Sequence, residues 1–182
     1  MNEKYYGFSG KLLEVNLTEG TTKSLALNKE YGEKFLGGAG FACRYLYDRI
    51  KEDTKPLSEE NILMIMNGPF SATKAPCFGR FVICAKSAYT NLWGEANCGG
   101  TFGPELRKAG FDGIIIKGKA KEPTYMKVLN GEIELVIDKN LWGKGIKETQ
   151  KILKEKVNDE KAKVLCIVQG GENLVKYANV NA

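Results

Sequence analysis

The chain repeats itself, and that repeat limits its fold more than any other feature. Lys11-Leu12-Leu13-Glu14-Val15-Asn16-Leu17 alternates like a half-buried strand, Thr18-Glu19-Gly20 turns it, and residues 22–27 return as a second arm. Phe35-Leu36-Gly37-Gly38-Ala39-Gly40 then leads into a helix carrying Phe41, Tyr45, Leu46, Arg49 and Ile50 at helical spacing. An apolar strand, Ile62-Leu63-Met64-Ile65-Met66, ends this unit at Asn67-Gly68. The second half runs in the same order. Residues 125–129 turn at Asn130-Gly131, a strong hairpin signal, into residues 133–137. Leu141-Trp142-Gly143-Lys144-Gly145 opens a helix with Ile146, Thr149, Ile152, Leu153 and Val157 on one face. Asn158-Asp159-Glu160 links it to the apolar run Val164-Leu165-Cys166-Ile167-Val168, which ends at Gln169-Gly170-Gly171. The two halves match in pattern more than in identity, which either duplication or convergence on a common unit produces. Each hairpin has a face to bury, so the expectation is an α+β body. In it, two pseudo-symmetric hairpin–helix–strand repeats, about 10–70 and 124–182, form β-sheets with flanking helices.

Unmatched sequence separates the copies, from about 71 to 123. It holds a strand over 81–86, a glycine loop, a short helix at Pro104-Glu105-Leu106-Arg107-Lys108 stopped by Ala109-Gly110, and a strand over 113–118. The second copy reaches a matching strand, expected over 174–180, and carries no counterpart of the loop and helix. The whole, 1–182, reads as one domain with a functional insert.

Composition removes several kinds of chemistry. There is no histidine, so the commonest general base and the commonest metal ligand are both missing. The five cysteines, Cys43, Cys77, Cys84, Cys98 and Cys166, are scattered with no Cys-x-x-Cys, so neither a zinc site nor an iron–sulfur loop is written here. No apolar run approaches the ~18–20 residues that span a bilayer. Met1-Asn2-Glu3-Lys4-Tyr5-Tyr6 lacks the apolar stretch of a signal peptide, and a cytoplasmic protein without a disulfide framework is the simplest reading. The net charge of +5 comes from lysines scattered among glutamates, as in Lys154-Glu155-Lys156, which reads as a solvated face rather than a nucleic-acid surface.

What remains for chemistry is backbone, carboxylates, Arg and Lys, or a bound cofactor. In Asn97-Cys98-Gly99-Gly100-Thr101-Phe102-Gly103-Pro104 two glycines permit close backbone approach, and the following helix start offers N–H groups to an anion. Taken alone, the segment is equally a tight strand-to-helix turn. It is neither the dinucleotide fingerprint nor a P-loop. Phe78-Gly79-Arg80 lies upstream, and an arginine entering a strand offers a fixed fork of donors to phosphate or a ring carbonyl. By itself such an arginine is more simply a surface or structural ion pair.

Read together, these segments are far more specific. Ala75-Pro76-x-x-Gly79-Arg80, Lys86-Ser87, Asn97-x-Gly99-Gly100-x-Phe102-Gly103-x-Glu105-Leu106-x-x-Ala109-Gly110-Phe111-Asp112-Gly113 and Gly118-Lys119-Ala120 follow in order. The pattern resembles the N-terminal domain of the tungsten-containing aldehyde ferredoxin oxidoreductase family. It extends to Gly10-Lys11-Leu12-Leu13-x-Val15-Asn16-Leu17-Thr18-x-Gly20 and to Gly171-Glu172-Asn173-Leu174-Val175-Lys176.

The resemblance implies a β-rich base on which a bis-pterin tungsten or molybdenum cofactor lies, in an enzyme that oxidises aldehydes to carboxylic acids. Arg80 matches an arginine that contacts the pterin, between it and an iron–sulfur cluster. Asn97, Cys98, Gly99 and Gly100 match the cofactor loop, with the Asn97 backbone carbonyl expected near a magnesium ion joining two pterin phosphates. Cys98 stands where serine is common, as a weak replacement donor or, more simply, a small filler, and Phe78 stands where a small residue is common. No catalytic acid or base is implied in this chain. The 4Fe-4S cluster, the substrate pocket and the contact with ferredoxin are expected only in a full-length enzyme, from helical domains or a separate subunit. A face normally covered by those neighbours suits homodimerisation. The alternative is a stand-alone pterin-binding or subunit-interaction module without catalysis.

Overall fold

The computed structural model describes residues 7–76 and 78–182; the stretch 1–6, read for a signal peptide, and Cys77 lie outside the described residues. Strands β1 (Lys11–Asn16) and β2 (Thr21–Ala26) form the first hairpin. Helices α1 (Lys29–Phe35) and α2 (Ala39–Arg49) follow, then β3 (Ile62–Asn67), β4 (Phe81–Lys86), β5 (Trp93–Cys98), α3 (Phe102–Lys108) and β6 (Gly113–Lys117). The six strands make one sheet in the order β2-β1-β6-β3-β4-β5. Strand β6 runs parallel to β1 and antiparallel to β3, and so closes the sheet between two strands that precede it in sequence.

Alternation along these strands sends side chains to two separate cores. Leu12, Met64, Met66, Val82, Cys84 and Ile115 face α2, whose Phe41, Ala42, Tyr45 and Leu46 supply the matching stripe. Leu13, Val15, Ile65, Phe81 and Ile114 face the other way, with Leu106 of α3 and Phe111. Burial on both faces explains why β3 and β6 are nearly continuous apolar runs.

The second half covers that other face. Strands β7 (Thr124–Leu129) and β8 (Glu132–Ile137) form a separate two-stranded sheet, turned by Asn130 and Gly131 at positive φ, and Met126, Val128, Ile133 and Leu135 pack on the first sheet. Helix α4 (Ile146–Val157) follows, with Thr149 its one buried residue. The mixed α+β class expected from the sequence is therefore the class observed.

Several elements differ from expectation. Residues 164–168 form no ladder: Cys166 alone makes a bridge, to Asn181. Residues 174–180 are not a strand either; turns and irregular backbone after α5 (Gln169–Glu172) occupy that stretch, and the bridge falls at Asn181. Apolar character alone does not make a strand without a neighbour for its backbone groups. The stretch 71–123 carries β4, β5 and β6, and so supplies half the strands of the first sheet. Asn97 and Cys98 lie on β5 rather than in a loop, and α3 begins before Pro104, capped by Thr101 without a side-chain hydrogen bond.

Candidate functional site

Antiparallel pairing of β4 and β5 sets Phe81 opposite Cys98 and Val82 opposite Asn97. Arg80, one residue before β4, is thereby brought to the end of β5. Its Nε donates to Asn97 Oδ1 at 2.5 Å and its Nη2 to the Asn97 backbone carbonyl at 3.0 Å. Both residues are exposed, and β5 is the outermost strand, so one edge of its backbone is open. The structure thus joins Arg80 and Asn97, which lie far apart in sequence, in one corner.

The glycines beside them are required by close approach. A Cβ on Gly79 would stand 2.8 Å from the Gly100 carbonyl oxygen, and Gly100 itself has φ +91°. The two loops therefore touch backbone to backbone, which only glycine permits here. A Cβ on Gly99 would meet Arg80 Nη1 at 3.3 Å, so this residue borders the guanidinium directly. Among the described residues, the N–H groups of Gly99 and Gly100 have no hydrogen-bond partner. Cys98 is half-buried, packs on the second core and donates its Sγ–H weakly to the Gly99 carbonyl at 3.4 Å. Phe78 leans on Phe70, ring centroids 4.8 Å apart.

Behind this corner lies a buried polar knot that sequence reasoning passed over. Asp112, fully buried, accepts from the backbone N–H groups of Ser9 (2.8 Å), Gly10 (2.7 Å) and Lys11 (3.2 Å). Arg107 of α3 pairs with it at 2.7 Å and donates to the Gly7 and Gly68 carbonyls, both at 2.9 Å. Burial pushes the Asp112 carboxyl above its ordinary range, against the pull of those N–H groups and of Arg107. Burial also lowers Arg107, opposed by Asp112. Asn67, equally buried, donates Nδ2 to the Gly103 carbonyl at 3.0 Å, and a Cβ on Gly103 would stand 2.7 Å from its Oδ1. These contacts tie α3, and the loop before it, to β3 and β6. The one sequence signal was a carboxylate set among apolar residues in Phe111-Asp112-Gly113-Ile114.

The described cysteines do not converge. Cys43, Cys84, Cys98 and Cys166 are free thiols, and burial pushes Cys84 up to about 12, which keeps it protonated. Among the described residues no three Cys, Asp or Glu side chains gather as a metal site, and no helix is long and apolar enough to cross a membrane.

A mixed sheet with α1 and α2 on one face, α3 and the second hairpin on the other, and an arginine–glycine corner at its open edge defines the class of this domain. The chain belongs to the aldehyde ferredoxin oxidoreductase family: residues 12–182 match the family model for "Aldehyde ferredoxin oxidoreductase, N-terminal domain". It is 41% identical over 175 residues to the tungsten-containing aldehyde ferredoxin oxidoreductase of Pyrococcus abyssi, covering 96% of this chain and 29% of that protein. The aliphatic sulfonate oxidoreductase, WOR-like subunit, of Pyrococcus furiosus is 34% identical, with 96% and 30% covered. Among solved structures, the active site complex BamBC of benzoyl coenzyme A reductase, in complex with 1,5 dienoyl-CoA, superposes with TM-score 0.95 at 36% identity. That superposition covers 97% of this chain and 27% of the other. The chain thus spans less than a third of the length of the relatives it matches.

Proposed function

We propose that this domain is the cofactor platform of a tungsten (or molybdenum) bis-pterin oxidoreductase that converts aldehydes to carboxylic acids and passes electrons to ferredoxin. The observation that carries the reading is the corner itself. Arg80 presents a cation with Nη1 unpartnered among the described residues, beside the open N–H groups of Gly99 and Gly100. A guanidinium fork and free backbone donors suit an anionic, phosphate-bearing pterin, so the residues present fit the group. When bound, the metal–pterin group supplies the two-electron chemistry, while the protein orients it and tunes its surroundings.

Arg80 and the Asn97, Cys98, Gly99 and Gly100 segment act as positioning groups. Asn97 O, the proposed ligand of a magnesium ion, now accepts from Arg80 Nη2. A backbone carbonyl oxygen has two lone pairs, so Asn97 O would keep one to offer a magnesium ion while it accepts from Arg80. Relatives named for aldehydes, for aliphatic sulfonates and for benzoyl coenzyme A share this domain, which supports placing substrate choice outside it. The cluster, the substrate pocket and the ferredoxin contact belong, on this reading, to the rest of the enzyme.

The test is tungsten, molybdenum and pterin content of the enzyme containing this domain, with Arg80→Ala and Arg80→Lys variants. Arg80→Ala is expected to lower bound pterin and metal about tenfold, as loss of a charge-assisted bidentate contact would. Its thermal midpoint should be unchanged, because the side chain is exposed. Full metal and pterin occupancy in Arg80→Ala would sink the proposal.

A further inference from the structure

The second half of the molecule is a sheet with one strand missing. In the first sheet β6 lies between β1 and β3, and β4 pairs with the far side of β3. The hairpin β7–β8 repeats β1–β2, residues 163–167 stand where β3 does, and the Cys166–Asn181 bridge repeats the β3–β4 pairing. Nothing described takes the place of β6. In that place is a cavity of about 450 Å³, lined by all six residues of β7 on one side and by residues 162–167 on the other.

Both walls have open backbone edges. Among the described residues β7 pairs only with β8. Of residues 163–167, Cys166 alone makes backbone hydrogen bonds among the described residues. The cavity floor is the first sheet, with Val15, Ile65, Ile114 and Ile116, and its roof includes Leu153 and Val157 of α4. An occupant with apolar walls on both faces must be an apolar run on both its own faces, as Ile114, Ile115 and Ile116 of β6 are. Open ladders on both sides require its backbone to be extended.

We propose that this slot receives one apolar β-strand, parallel to β7 and antiparallel to residues 163–167, donated by the remainder of the enzyme. The relatives that match carry some 70% of their length beyond what this chain covers (100% minus 29%), so such polypeptide exists in them. A second copy of this chain is a poor donor, since its own β6 is paired on both edges and buried. The inference concerns assembly and stands whatever cofactor the Arg80 corner holds.

The experiment tethers a copy of residues 111–118 after Ala182 through a flexible Gly/Ser linker, which raises the strand's effective concentration. A matched control carries Ile115→Pro in the copy only, which removes a ladder donor. Amide hydrogen exchange is followed at residues 124–129 and 163–167, with molar mass measured by light scattering. Expected is slowing of at least about tenfold at Val164, Leu165, Ile167 and in β7 in the apolar tether alone, with monomeric mass. Equal exchange in both tethers would overturn the proposal. So would amides in the untethered chain already as slow as those of β1, or protection that appears only with a dimeric mass, which would make the occupant a second copy.

Discussion

Both halves of the chain open with a hairpin followed by helix, and they reach different degrees of completion. In the first, β6 returns from late in the sequence to pair with both β1 and β3, and every interior strand is hydrogen-bonded on two sides. In the second, β7–β8 and residues 163–167 face each other across a cavity. The difference teaches that the last strand to arrive decides whether an apolar segment becomes part of a sheet. It also explains the position of the candidate site, because β6 enters through Phe111-Asp112-Gly113 and brings Asp112 against Arg107 of α3. The helix that borders the corner is thereby anchored to the closed sheet.

The largest contrast should come from breaking that anchor. Arg107→Ala leaves a fully buried carboxylate without its partner, at an expected cost of about 3–5 kcal/mol in urea unfolding. Lys156→Ala, which removes the partner of Asp138 in the second half, should change the unfolding midpoint far less. Equal losses would mean that the second half is as tightly closed as the first.

Next in size is a pair of core truncations. Leu13→Ala, in the packed interior, should cost about 2–5 kcal/mol, whereas Leu165→Ala, already beside a cavity, should cost about 1 kcal/mol or less. Reversal of that order by denaturant titration would contradict an open slot.

How much of this was legible in the sequence follows the same physics. Hairpins β1–β2 and β7–β8 could be read from alternation and turn chemistry, which are local. Strand β6 could be read from Ile114, Ile115 and Ile116. Strand β5 could not, because Trp93-Gly94-Glu95-Ala96-Asn97-Cys98 is a solvated edge with no apolar rhythm. Helix α1 escaped because none of its residues is buried. Residues 164–168 looked like a strand, yet strand formation needs neighbours that a single segment does not reveal. At the corner, Arg80 and Asn97, Cys98, Gly99 and Gly100 were marked by glycine spacing and family pattern. Their joint geometry, with Arg80 holding both oxygens of Asn97, depends on β4–β5 register and had no local signal. The Arg107–Asp112 knot had almost none for the same reason.

A smaller contrast concerns glycines. Gly79→Ala places a Cβ 2.8 Å from the Gly100 carbonyl oxygen and should cost about 1–3 kcal/mol, with displacement of the corner. Gly145→Ala meets nothing within 4 Å and, at the N-cap of α4, should cost only about 0.5–1 kcal/mol with no displacement of the backbone. Thermal melts of the two variants measure the difference.

The smallest effect is a pH dependence. Partial burial raises Glu14, but hydrogen bonds and charges from Arg49 and Lys117 outweigh it, and the net shift is downward from 4.5. A depressed folded-state value means that this contribution is complete above 4.5 and is lost as pH falls through the folded value. Being part-exposed, it should amount to less than about 1 kcal/mol. Urea titrations at stepped pH should show this slope in the native chain and a shallower one in Glu14→Gln. Parallel slopes would remove Glu14 from the account.

The most direct measurement for the central claim is anomalous diffraction at the tungsten edge from crystals of the enzyme that contains this domain. The account predicts a metal peak facing the open side of the corner, with pterin density in contact with Arg80 and the Gly99–Gly100 backbone. Pterin density on another face, with none in contact with Arg80 or the Gly99–Gly100 backbone, would contradict it.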